Sequence, residues 1–110
     1  MGHYYASEHL GQFGTIAQGN PDLADKFFAW YNAVFAEGAL TEREKALIAL
    51  AVSHALKCPY CIDAYTTQCL ETGANPEQMM EAVHVAAVMQ AGITLVHSVQ
   101  MQNHLDKMVL

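Results

Sequence analysis

An all-helical fold, a compact bundle of about five to six helices, is what this 110-residue chain predicts. Three observations carry it. No stretch alternates apolar and polar residues as a half-buried strand would. Apolar residues recur instead at helical spacing, and helix-start chemistry appears at Asn20-Pro21, at Thr41-Glu42-Arg43-Glu44 and at Asn75-Pro76. A chain this short rarely divides into two cores, so one domain spanning residues 1–110 is expected, with residues 1–20 as an N-terminal arm. The arm lacks periodicity, but Tyr4, Tyr5 and Phe13 give it side chains to bury on the body or on a neighbour.

The first helix begins at Pro21, where a missing N–H costs nothing, with Asn20 as N-cap. Leu23, Phe27, Trp30, Tyr31 and Val34 form its apolar face, and Gly38 is the expected stop. Thr41 and Glu44 have the spacing of a capping box, which opens the second helix. Its body, from Ala46 to Val52, is apolar on every side, so it is the expected central element. Pro59 cannot continue that helix without losing a backbone hydrogen bond, and a break is expected near Cys58. A third helix then runs to about Glu71 and ends at Gly73. A fourth starts at Asn75-Pro76 and carries Met79, Met80, Val83, Ala87 and Val88. Gly92 is expected to separate it from a last helix running from Thr94 to near Leu105.

Composition narrows the function. Hydrophobic residues make up 53% of the chain and charged residues 15%, rich in core-type side chains for so small a domain. That surplus points to burial between subunits and hence to a homo-oligomer. The formal net charge is −6 and the five basic residues, Lys26, Arg43, Lys45, Lys57 and Lys107, are scattered, which disfavours nucleic acid as a partner. Between Ala82 and Leu105 there is no Asp, Glu, Lys or Arg, long enough to raise the question of a membrane span. His84, Gln90, His97, Gln100, Gln102, Asn103 and His104 argue against one, because lipid would leave those groups unpaired whereas a subunit interface could pair them. No secretory signal is visible at the N-terminus. Three cysteines, two of them close together, do not form an extracellular disulfide framework, so a cytoplasmic location is expected.

The chemistry centres on Cys58-Pro59-Tyr60-Cys61. Free N–H groups and the helix dipole at a helix start favour a thiolate there. The spacing also lets the pair close into a disulfide, which permits two-electron chemistry with no bound cofactor. His54, Cys58, Cys61 and Tyr65 fall within a narrow sector of a continuous helix, a geometry that the Pro59 break distorts, and are expected to share one pocket. An imidazole there can take a thiol proton, and a phenol can donate to a developing oxyanion. Glu44 has two readings: as part of the capping box, or as the carboxylate that orients His54 in a thiol-imidazole-carboxylate relay. Cys69 points away from the pair and reads as a buried structural thiol. His84, His97 and His104 read as interface or helix-end residues, and the six methionines as packing without a metal or haem.

From Leu40 to about Val99 the chain resembles the alkylhydroperoxidase D-like and carboxymuconolactone decarboxylase superfamily. The resemblance rests on Leu40-Thr41-Glu42-Arg43-Glu44-Lys45, on Ala51-Val52-Ser53, on Cys58-Pro59-Tyr60-Cys61, and on Thr72-Gly73-Ala74 leading into Met80-Glu81-Ala82-Val83. Within it the chain looks most like the arsenosugar biosynthesis-associated peroxidase-like group, through Phe35 to Leu40 and Cys58 to Tyr65. The resemblance implies an alkylhydroperoxidase D-like helical fold assembled as trimers or hexamers. It also implies a peroxidase in which Cys61 attacks and Cys58 resolves. The superfamily's relay uses a glutamate twelve residues before the first cysteine and a histidine four after the second. Here Ala46 and Tyr65 occupy those positions, leaving His54 and Glu44 as the available substitutes. The decarboxylase branch typically lacks the cysteine pair, so lyase chemistry is the poorer reading.

The expected function is therefore an antioxidant, peroxiredoxin-type oxidoreductase reducing hydroperoxides through a Cys58–Cys61 disulfide, which an external thiol reductant then reopens. Two alternatives accompany it. One is a general thiol-disulfide oxidoreductase acting on a partner protein or a small disulfide. The other is a structural module in which Cys58, Cys61 and His54 hold zinc.

Overall fold

Side-chain caps decide where each helix of this chain begins. A computed structural model describes residues 19–108, which form four helices and no strand. The first, α1, spans Pro21–Phe35; Asn20 Oδ1 accepts the Leu23 N–H at 3.3 Å. The second, α2, spans Glu42–Ala55, and its capping box is complete: Thr41 Oγ1 accepts the Glu44 N–H at 3.1 Å while Glu44 Oε1 accepts the Thr41 N–H at 2.7 Å. The third, α3, spans Pro59–Glu71. The fourth, α4, spans Pro76–Met108 and opens on a second reciprocal cap, between Asn75 and Gln78.

Backbone chemistry ends α2 and α3. After α2, the Lys57 N–H reaches the His54 carbonyl and the Cys58 N–H reaches the Ser53 carbonyl, with Lys57 left-handed at φ 56°. After α3 the same pattern recurs, from Gly73 to Leu70 and from Ala74 to Cys69, with Gly73 at φ 94°. Both are Schellman motifs, which recover carbonyls a helix end would otherwise leave open. The first uses a lysine where the second uses the residue that adopts this conformation without a Cβ penalty.

Two expectations need correction. Gly38 does not stop α1, which ends at Phe35 with Ala36 in extended backbone. The Lys45 ammonium of α2 donates to the Val34 and Ala36 carbonyls instead, a cation on the negative end of the helix. Nor does Gly92 end a helix: α4 passes through it for 33 residues, so the fifth helix from Thr94 does not exist and the described bundle has four helices. An interior glycine costs about 1 kcal/mol relative to alanine, less than the hydrogen bonds a break would open. Thr94, instead of capping a new helix, turns its hydroxyl back to the Gln90 carbonyl at 3.0 Å. The arm expected over residues 1–20 lies, apart from its last two residues, outside the described residues.

α2 is the element against which α1, α3 and α4 all pack. The core between them is small: Ala46, Leu50, Cys69 and Ala74 are buried, with Leu47, Tyr65 and Met79 against them. Gln90 of α4 donates to the Ala55 carbonyl at 3.0 Å, tying α4 to the end of α2. Beyond that point α4 presents Leu95, Val96 and Val99 more than half exposed, and Val88 and Met89 are equally open. By length and composition α4 is also apolar enough to cross a membrane.

Candidate functional site

The turn between α2 and α3 builds the site. Lys57 reverses the chain in its left-handed conformation, Cys58 follows in extended backbone as the N-cap of α3, and Pro59 takes the first helical position. The Cys58 sulfur fills the capping role, accepting the Cys61 N–H at 3.2 Å. Cys58 and Cys61 are joined as a disulfide with Cα atoms 5.2 Å apart. When the pair is reduced, a thiolate at Cys58 would meet the same N–H and the positive end of the α3 dipole.

The pair opens on a cavity of about 530 Å³ between α1, α2 and the start of α3. Val34 and Phe35 come from α1, Ile48 and Val52 from α2, and Tyr65 from α3. The few polar groups on its wall are engaged elsewhere: Ser53 donates to the Ala49 carbonyl at 2.6 Å, and Lys45 is held by the end of α1. The rest of the wall is apolar surface and the tyrosine Tyr65. The Tyr65 ring stacks on Phe35, centroids 5.5 Å apart and planes 13° from parallel, and its hydroxyl is hydrogen-bonded to that of Tyr31. Burial, and after it the bond to Tyr31, raises the Tyr65 phenol above its ordinary range. It therefore remains a neutral hydrogen-bonding group at any physiological pH.

Of the residues singled out from the sequence, the structure brings Cys58, Cys61 and Tyr65 to one cavity. His54 is not among them. It lines a separate hollow with Leu50, Thr66 and Met79, on the α4 side of α2, and its Nδ1 donates to the Leu50 carbonyl at 2.8 Å. The single-sector expectation assumed one helical phase from residue 54 to residue 61, and the Schellman turn resets that phase. Glu44 sits exposed in the capping box, where the Thr41 N–H, and then the Thr41 hydroxyl, hold its carboxyl below the ordinary value. Cys69 is fully buried in the core, and burial pushes its thiol up. Among the described residues no group of three His, Cys, Asp or Glu side chains is arranged to hold a metal ion.

Sequence reading missed Tyr31 and Phe35 as parts of the site. They lie one turn apart on the apolar face of α1, a spacing that reads simply as packing. The position of His54 carries a prediction. His54→Ala is expected to lower stability by about 1–3 kcal/mol, through lost packing and a lost hydrogen bond. The pH profile of thiol alkylation in the reduced protein should stay as in wild type. A drop of about 10²-fold in alkylation rate with unchanged stability would instead make the imidazole the base for the pair.

The carboxymuconolactone decarboxylase family model matches residues 21–102. A Paracoccus denitrificans protein named uncharacterized protein 4 in cox locus is 42% identical over 85 residues, 77% of each chain. An uncharacterized protein of Cupriavidus necator is 31% identical over 81 residues, 74% of this chain and 72% of that one. Among solved structures, a protein from Methanobacterium thermoautotrophicum superposes with a TM-score of 0.73 at 36% identity, over 76% of this chain and 94% of its own. A carboxymuconolactone decarboxylase family protein from Thermotoga maritima superposes at 0.57 with 30% identity, over 76% and 90%. With the match running from the start of α1 almost to the end of α4, through the cysteine pair and its cavity, the chain belongs to the carboxymuconolactone decarboxylase family.

Proposed function

We propose that the protein is a cysteine-based peroxidase that reduces hydroperoxides through Cys58 and Cys61. The observation that carries this reading is a disulfide-competent pair at a helix start, on the wall of an apolar cavity, with a neutral phenol one turn further along α3. In the reaction, the Cys61 thiolate attacks the terminal oxygen of the hydroperoxide and the O–O bond breaks. The alcohol leaves with a proton, and Cys61 becomes a sulfenic acid. The Cys58 thiolate then attacks the sulfenic sulfur, water departs, and the disulfide forms. An external dithiol supplies two electrons and two protons to restore both thiols. Tyr65 is assigned the hydrogen bond to the oxygen that develops negative charge, since it is the tyrosine that lines the cavity with the pair.

The family relationship supports redox chemistry. The related Thermotoga maritima protein has been suggested to take part in an antioxidative response. Within the family we group the chain with the arsenosugar biosynthesis-associated peroxidase-like proteins, on its Cys58-to-Tyr65 segment. We also propose that the protein is a cytoplasmic homo-oligomer, a trimer or hexamer, with the exposed apolar residues of α4 as the surface between subunits. His84, Gln90, His97 and Gln100 on the same helix suit a protein interface better than lipid.

The test is a brief exposure of the reduced protein to a small excess of organic hydroperoxide, followed by peroxide titration and mass spectrometry. One peroxide consumed per chain, a Cys58–Cys61 disulfide and a reduced Cys69 are expected. Disulfide formation with a small disulfide reagent but no peroxide turnover would replace peroxidase activity by general thiol-disulfide exchange.

A further inference from the structure

We propose that Tyr31 is a positioning residue for the cysteine pair and acts through Tyr65, its hydroxyl setting where the Tyr65 phenol points in the cavity that holds Cys58 and Cys61. The inference rests on the redox reading of that cavity. Tyr31 belongs to α1, 34 residues from Tyr65 in sequence, and does not itself line the cavity. Its route to the sulfurs is the hydroxyl-to-hydroxyl bond.

Two contacts, the Phe35 stack and the bond to Tyr31, leave Tyr65 little freedom. Phe35 stacks on its ring and sets the plane. The Tyr31 ring leans on the other partner of that stack, 4.9 Å from Phe35 between centroids and tilted by 36°. The remaining freedom of a phenol is rotation of its O–H about the C–O bond, and the bond to Tyr31 restricts it. A phenol that spends one hydrogen-bonding direction on a neighbouring hydroxyl has its other direction fixed as well. Tyr65 follows Cys61 by one turn of α3 and lines the same cavity as both sulfurs, which is where that second direction is available. When Tyr31 donates to Tyr65, the Tyr65 proton is released toward the cavity, where a thiolate or a departing alkoxide can accept it. Replacing Tyr31 by phenylalanine keeps its ring beside Phe35 and takes away the bond that anchors the Tyr65 hydroxyl.

The experiment is a double-mutant cycle of Tyr31→Phe and Tyr65→Phe, read on the full chain in the reduced state. Alkylation of the cysteines by iodoacetamide is followed against pH, with thermal unfolding measured alongside. Each single variant should react about 3- to 10-fold more slowly at neutral pH, with the midpoint of the alkylation profile moved upward, since a hydrogen bond that stabilises the thiolate has been lost. The double variant should match Tyr65→Phe alone, since Tyr31 acts on the sulfurs through Tyr65. A Tyr31→Phe profile identical to wild type, or effects of the two substitutions that multiply, overturns the proposal. Alkylation requires no peroxide. A wild-type protein that consumes no hydroperoxide while the cycle behaves as described would therefore defeat the peroxidase reading and leave the positioning role standing.

Discussion

Cys61→Ser is expected to slow hydroperoxide consumption by at least about 10³-fold, since serine at that site is neither ionised nor nucleophilic enough to break an O–O bond. Cys58→Ser should behave differently. Cys61 would still attack once, and the sulfenic acid would persist for lack of a partner, detectable by a dimedone adduct and by the loss of further turnovers. The contrast assigns the roles. Both sulfurs face the same cavity, and the Cys61 N–H is directed at the Cys58 sulfur. Helix-start stabilisation therefore falls most directly on Cys58, which suits the group that leaves when an external thiol reopens the disulfide. If Cys61→Ser formed the persistent sulfenic acid and Cys58→Ser were inert, the order of attack and resolution would be reversed. Equal residual turnover in both variants would remove the pair from the reaction.

Leu50→Ala is expected to cost about 2–5 kcal/mol, the range for a leucine taken from a core that cannot close over the space. Leu50 is 2% exposed and, with Cys69, is the largest side chain fully buried among the described residues. Its buried neighbours Ala46, Cys69 and Ala74 are too small to move into the hole. Against a total stability of about 5–15 kcal/mol, that loss is a large fraction of what holds the domain together. Thermal unfolding at fixed protein concentration should show a midpoint lowered by about 10 °C or more, with thiol alkylation in the folded fraction unchanged. A loss under about 1 kcal/mol would mean that contacts between subunits, rather than this core, dominate stability.

Much of the architecture was legible along the chain because its signals act within one helical turn. Asn20-Pro21, Thr41 with Glu44, and Asn75-Pro76 mark helix starts through hydrogen bonds to residues three positions away, and each is where it was expected. Pro59 forces the break before α3 by its own missing N–H, and Gly73 closes α3 through its permitted left-handed backbone. The two thiols at the N-terminus of α3 needed only their spacing and that proline. Gly92 does not end α4 because a single interior glycine is a weak penalty against a continuous run of helical hydrogen bonds.

Sequence alone thus determined the helical class, the helix starts and the cysteine pair, each set by neighbours within a few residues. Tertiary structure alone decided which side chains share the cavity. Lys57 and Cys58 reset the helical phase, so His54 turns toward α4 while Cys58 and Cys61 turn toward α1. Packing of α1 over that opening then brings Tyr31 and Phe35 onto Tyr65 from some thirty residues away. Helical periodicity measures angle along one uninterrupted helix; across a turn the angle is set by how the next helix packs, which no local spacing records.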